Sequence, residues 1–395
     1  PAGVASAPGP QDAVLDPVAI PLSLYVHLPW CVRKCPYCDF NSHAVRGEPP
    51  FGAYVDALLR DLEHEAAHTG KRPLETIFIG GGTPSLLPAG ELARLLAGVR
   101  DRLPVAADAE ITLEANPGAA DAARFAGYRA AGVSRLSIGV QSFHDPLLRA
   151  LGRIHDAGAA RAAVRAARAA GLENLNLDLM YALPGQTRAQ AVADVEQALA
   201  LGVSHVSHYQ LTLEPNTRFH ARPPPLPDDD AAWSMQEDCQ ALLAGAGLRQ
   251  YEVSAYARPG RACRHNRNYW ELGDYLGIGA GAHGKLTRAD GAVVRRVKRR
   301  GPADYLRGHA CQREWRPTPA ARLGELMMNG LRLREGIPRD YARSRAGVPA
   351  ALLEPPVAEA VARGLLADDP ARLRATPLGA RFLDDLLTLF IVEEA

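Results

Sequence analysis

From residue 22 to about 215 the chain alternates short apolar, β-branched runs with alanine- and leucine-rich runs of helical period. Strands are predicted at 22–28 (LSLYVHL), 75–80 (ETIFIG), 109–115 (AEITLEA), 134–140 (SRLSIGV), 174–182 (NLNLDLMYA) and 205–214 (HVSHYQLTLE). Helices are predicted between them, among them 51–67 and 161–171. Six βα units in succession imply an α/β fold with a parallel sheet. The right-handed crossover rule then leaves an open doubly wound sheet or a barrel, complete or partial. No G-x-G-x-x-G follows the first strand.

The pattern changes after residue 220. HARPPPLPDDD (220–230) is a proline-rich connector ending in an acidic helix start, and a helix is expected over 231–247. Residues 251–300 are mixed in character, and from about 301 the pattern is helical. The segment GLLADDPARLRATPLGARFLDDLLTLFI near the end reads as a short β-hairpin followed by a helix, as in a winged-helix-like domain. The expected organisation is a flexible leader (1–21), a βα domain (22–220), a connecting and barrel-completing region (221–300) and a mainly helical C-terminal domain (301–395).

A chain of 395 residues exceeds the usual reach of one hydrophobic core. Its net charge of +1 provides no global field for nucleic acid, and no nucleic-acid partner is expected. No run approaches the roughly 20 apolar residues of a membrane span. The N-terminal PAGVASAPGPQDAVLDP lacks the basic and apolar regions of a signal peptide, so a cytoplasmic location is expected. Of six cysteines, Cys31, Cys35 and Cys38 form a C-x3-C-x2-C cluster, while Cys239, Cys263 and Cys311 are scattered. In a reducing compartment such a cluster points to metal or redox chemistry rather than disulfide staples.

Three thiolates leave a tetrahedral site one ligand short. Structural zinc completed by His27 or His43 is one reading, and a redox pair at Cys35 and Cys38 is a second. The third is a [4Fe–4S] cluster with one iron open to an exogenous ligand. C-x3-C-x2-C after the first strand, with Tyr37 before the last cysteine, resembles the radical S-adenosylmethionine (SAM) superfamily. That resemblance implies a partial (β/α)6 barrel in which SAM chelates the open iron, and one electron from the cluster cleaves the sulfonium to give a 5′-deoxyadenosyl radical. The later strand ends fit. GGGTP (Gly80–Pro84) places Gly81, Gly82 and Thr83 after the second strand, in the segment that the superfamily uses for the SAM amino group. LEANP, GVQSF, ALGRIH and NLDLMYALPGQT bring Glu114, Gln141, Arg153 and Asp178. By the resemblance these four, with Tyr25, contact SAM.

Within the superfamily, LYVHLPWCVRKCPYCDFNSH, FIGGGTPSLL, SIGVQSF and LDLMYALPGQT resemble the group of the oxygen-independent coproporphyrinogen III oxidases. Those enzymes carry a further cysteine two residues after the third ligand; Phe40 stands there in this chain. The Cys-Asp-Phe version is similar to the HemW family of haem chaperones, as is HNRNYW at 265–270. This resemblance implies haem as cargo, apo-haemoproteins such as respiratory enzymes as acceptors, and His265 as haem ligand. Cys263 and His283, the latter in GAGAHGK, rank behind it. An oxidase that decarboxylates porphyrinogen propionates is the alternative. A haem donor protein and a homodimer are conceivable partners. The basic run RRVKRR (295–300) is read either as a solvated edge or as a contact for propionates, a partner's acidic face or a membrane surface.

Overall fold

The computed structural model describes residues 15–45, 47–118, 121–308 and 310–391. The expected leader lies outside them as far as residue 14. Residues 15–21 are packed: Leu15 and Ile20 are buried, and Arg72 donates to the carbonyls of Pro17 and Ile20.

Six strands follow the predicted order: β1 (Leu22–Leu28), β2 (Leu74–Gly81), β3 (Val105–Ala115), β4 (Arg135–Gln141), β5 (Asn174–Tyr181) and β6 (His205–Gln210). The last is shorter than expected, because the chain leaves the sheet at Leu211. Helices α1 (Phe51–Ala66), α2 (Ala89–Arg102), α3 (Asp121–Ala131), α4 (Ala157–Ala169) and α5 (Arg188–Ala200) lie along the same stretch. The strands are buried on both faces, so they read as near-continuous apolar runs. Capping residues set the helix starts. Asp156 accepts from Ala159 N at 2.7 Å at the start of α4, and Thr187 and Gln190 form a reciprocal capping box at α5.

After helix α6 (Asp229–Gly245) come β7 (Arg249–Glu252), β8 (Ala255–Ala257), helix α7 (Arg264–Trp270), β9 (Asp274–Ile278), β10 (His283–Thr287), β11 (Val293–Lys298) and β12 (Cys311–Trp315). Among the described residues the sheet has 12 strands, in the order β12-β11-β10-β9-β1-β2-β3-β4-β5-β6-β8-β7. β9 pairs parallel with β1, which makes a seventh parallel strand within the mixed region expected to complete the barrel. The antiparallel β10–β12 extend that side and β8–β7 the other. The fold is therefore a partial α/β barrel with a mixed extension. β12, which carries the exposed Cys311, is a short strand at the start of a C-terminal part that is otherwise mainly helical, as expected.

Buried charges fasten the added strands. Asp274 on β9 accepts from Arg72 and from Lys285 of β10, each at 2.9 Å. Lys298 on β11 donates to Asp61 and Glu65 of α1 at 2.5 and 2.6 Å. A second core lies in the C-terminal part, around α8 (Pro319–Gly330) and α9 (Ala350–Ala362). There Leu366 bridges Ala375, and Ile337–Pro338 pairs with Arg372–Leu373, ahead of two short helices. This is the winged-helix-like end. Leu272 and Trp270 pack into this core from the barrel side.

Candidate functional site

The loop after β1 carries the cysteines. Trp30–Cys31 pairs in parallel with His43–Ala44, closing a loop that holds Cys35 and Cys38 beside the C-terminal strand ends. The glycine segment after β2 is tied to it: Gly82 N donates to Leu28 O at 2.8 Å and Thr83 N to Trp30 O at 2.7 Å. This contact needs glycine. A Cβ at Gly82 would lie 2.5 Å from Trp30 O, and Gly81 has φ +122° with His27 filling the space of a side chain.

Eleven of the sequence-predicted residues, Cys31, Cys35, Tyr37, Cys38, Gly81, Gly82, Thr83, Glu114, Gln141, Arg153 and Asp178, line one cavity. Glu114 accepts from Gly81 N at 3.0 Å. Arg153 donates to Asn116 Oδ1 at 2.5 Å and to Gly139 O at 2.8 Å, and its Nη1 lies 3.7 Å from Cys35 Sγ. Asp178 accepts from Asn176 at 2.8 Å and from Ser137 at 3.2 Å. Gln141 sits at φ +68°, an uncommon conformation for a non-glycine residue and one that costs about 1 kcal/mol. The Tyr209 phenol holds its amide oxygen at 3.0 Å.

Tyr25 lies beside this cavity rather than in it. His27 Nε2 donates to Asn41 O, leaving Nδ1 to accept the Tyr25 phenol proton, both at 2.9 Å. Both His27 nitrogens are thus engaged, and among the described residues no group of three or more His, Cys, Asp or Glu side chains converges on a single ion. The zinc reading through His27 finds no open nitrogen there.

His265 stands apart on α7, with 0% exposure. Its Nδ1 meets Thr76 Oγ1 at 2.7 Å and its Nε2 meets the Tyr269 hydroxyl at 2.9 Å. Thr76 donates to Ser23, so the ring donates from Nδ1 and accepts from Tyr269 at Nε2. Burial, helped by the Arg135 charge, holds the imidazole neutral, its pKa lowered to about 3. In the ligand-free fold both ring nitrogens are thus engaged by neighbouring hydroxyls. Cys263 is also fully buried, 3.5 Å from Glu110.

Residues 25–198 match the Radical SAM superfamily and residues 318–382 the HemN C-terminal domain. The chain is 50% identical over 373 residues to the protein named Heme chaperone HemW of Escherichia coli, covering 94% of this chain and 99% of that one. The chain belongs to the HemW family. The protein of that name from Haemophilus influenzae is 46% identical over 95% of this chain and 99% of its own length. The mouse protein named Radical S-adenosyl methionine domain-containing protein 1, mitochondrial, is 37% identical over 92% of this chain and 86% of its own length. The fold is shared with E. coli coproporphyrinogen III oxidase, HemN, described as a radical SAM enzyme: TM-score 0.80 at 24% identity, covering 98% of this chain and 94% of that one.

Family membership implies a capacity for an iron–sulfur cluster and SAM, and the cavity's chemistry fits such guests. Burial, with Asp178 as a neighbouring negative charge, raises the Glu114 carboxyl to about 8. Burial also raises Asp178, against the hydrogen bonds of Asn176 and Ser137. Two half-buried carboxyls lining one cavity suit a guest that brings positive charge and hydroxyls. Arg153, with its Nε buried and without a partner, places positive charge beside the thiols. Burial raises the Cys31 and Cys38 thiols, so metal binding there must displace protons.

Asn116, Ser137, Gly139 and Tyr209 also line the cavity and were not expected. Asn116 lies inside the LEANP segment, and Tyr209 marks the end of the sixth strand. The polar strand-end signal used for the other strands reaches both. The basic run resolves into internal pairs: Arg295 with Glu325, Arg296 with Glu65 and Glu314, Lys298 with Asp61 and Glu65. Arg299 and Arg300 remain exposed. No helix among the described residues is long and apolar enough to cross a membrane.

Proposed function

We propose that this chain is a haem chaperone that carries a [4Fe–4S] cluster and SAM, binds haem, and delivers it to apo-haemoproteins such as respiratory enzymes. The observation that carries this reading is near-full-length identity of 50% with a protein named Heme chaperone HemW. Phe40 supports it, being 61% exposed at the position where the oxidases place a cysteine. Cys31, Cys35 and Cys38 would hold three irons. Glu114, Asp178, Gln141, Arg153 and the Gly81–Thr83 backbone would seat SAM. The cluster, when bound, supplies one electron to the SAM sulfonium. Glu114 and Asp178 would meet its cationic and hydroxyl groups, and Arg153 would balance the negative charge of the thiolates. Clustered thiols call for a reducing compartment such as the cytoplasm.

The oxidase reading shares the cluster cysteines and the strand-end residues for SAM with the chaperone reading. The deciding experiment is anaerobic turnover of the reconstituted protein with coproporphyrinogen III, SAM and a reductant, read by mass spectrometry. We expect no decarboxylated product, together with stoichiometric haem binding. Loss of propionate carboxyls would make it an oxidase instead.

A further inference from the structure

A second space opens beside the cysteine cavity. One stretch of about 380 Å³ is bounded by Tyr25, Tyr269, Trp270, Tyr275 and Arg295. Another of about 350 Å³ is bounded by Phe40, Asn41, Glu114 and Arg300. Tyr25, Gly281 and His283 line both, so the two form one chamber of ligand-site size. Phe40, Gly81 and Glu114 face this chamber and the cysteine cavity alike.

His283 stands at the junction of the two stretches. It opens β10, opposite Val297 of β11. Its side chain is exposed, and no hydrogen bond or ion pair engages its ring among the described residues. The contrast with the other two histidines is sharp, since the hydrogen bonds of His27 and His265 occupy both nitrogens of each ring. Partial burial and the nearby guanidinium charges of Arg295 and Arg300 keep the imidazole neutral, the form that binds iron. The surroundings match a flat, apolar macrocycle with two carboxylates. Tyr269 and Tyr275 meet edge to face at 4.6 Å and give an aromatic wall. Arg295 is occupied by Glu325 and the Tyr275 phenol. Arg300 is exposed and no ion pair engages it among the described residues, so it can meet a propionate.

We propose that His283 is the iron ligand of haem in this chamber, and that His265 is a positioning residue that fixes the Tyr269 wall. The proposal rests on the haem-chaperone reading. It also separates two roles that look alike in a simple loss-of-binding assay. Removing His265 frees Tyr269 and deforms the wall, which weakens binding without changing what coordinates the iron. Removing His283 changes the coordination itself.

The test is titration of the full-length protein with haem, following affinity and the visible and electron paramagnetic resonance spectra. His283→Ala is expected to weaken binding at least about tenfold and to shift the spectrum from that of the parent. His283→Gly with added imidazole should restore the parent spectrum. His265→Ala should bind more weakly but keep the parent spectrum; if it does not fold, Tyr269→Phe removes the same hydrogen bond. Parent-like spectrum and affinity in His283→Ala, or a spectral shift in the His265 variant alone, overturns the assignment and leaves the chaperone reading standing. A parent protein that binds no haem overturns the chaperone reading itself, and this assignment with it.

Discussion

Replacing Glu114 by Gln should make the ligand-free protein more stable and SAM binding weaker. The carboxyl is half-buried in the cavity wall, where desolvation and the nearby Asp178 charge raise it to about 8, against 4.5 for an unperturbed glutamate. The native state therefore keeps a proton that the unfolded chain has released. Stability falls as pH rises from about 4.5 and levels off above about 8. At about 1.36 kcal/mol per pKa unit, the full penalty is of the order of 5 kcal/mol, with roughly 3 kcal/mol developed at pH 7. Gln keeps the acceptor for Gly81 N and has no charge to bury. Denaturant unfolding of parent and Glu114→Gln at about pH 5, 7 and 9 measures the difference directly. The variant should gain on the parent between the first two values and gain a further ~1–2 kcal/mol by the third. Added SAM should raise the parent's midpoint more than the variant's. If the two proteins show parallel pH profiles, the carboxyl is not held protonated by burial, and its assignment as the partner of a cationic guest loses its physical basis.

Each of Cys31→Ala, Cys35→Ala and Cys38→Ala should abolish the brown absorption of the reconstituted cluster; an intact cluster in all three would refute the ligand set. Gly82→Ala should impair cluster assembly because its Cβ would collide with Trp30 O at 2.5 Å; normal iron and sulfide content would show that the two loops separate freely. Lys298→Met removes the cation of the buried Asp61 and one of the two cations of Glu65, which keeps Arg296, and should lose about 3–5 kcal/mol at neutral pH. Part of that loss should return in acid, where the Asp61 carboxyl, already raised by burial, takes up a proton. A pH-independent deficit would mean that lost packing dominates.

The parallel strands were legible because each is buried on both faces and so announces itself as a continuous apolar run; 22–28 is observed as expected. β9 was hidden. DYLGI is five residues long, and its partner β1 lies about 250 positions earlier, so no local pattern marks the pairing. β12 reads CQREW and is largely exposed. Its place at the sheet edge is secured by Glu314 pairing with Arg288 and Arg296, and such ion pairs leave no hydrophobic period. The strand-end residues of the cavity could be found because ligand sites of βα barrels gather at that end. What could not be read is occupancy. HNRNYW contains a histidine with every mark of a ligand, yet Thr76, 189 positions away, takes one of its nitrogens.

The same limit explains Phe40. By sequence it is only the absence of a cysteine. In the fold it is a phenyl ring, 61% exposed, on the boundary between the cavity of the thiols and the aromatic chamber. A thiol there would add a soft ligand or a proton donor to the cavity. A phenyl ring adds an apolar surface facing Tyr25 and His283 across the chamber. Chemistry on a porphyrinogen needs groups that move protons and electrons at the propionates, whereas holding haem needs a nitrogen for iron, aromatic walls and a cation for carboxylates. Outside the cavity of the thiols the barrel mouth supplies the second set: His283, Tyr269 with Tyr275, and Arg300. Arg295, Arg296 and Lys298, which might have drawn the mouth to an anionic surface, are instead tied to carboxylates of the fold. The side of the barrel that carries haem on this reading is therefore built around the macrocycle itself, with Arg300 as its exposed charge toward the propionates.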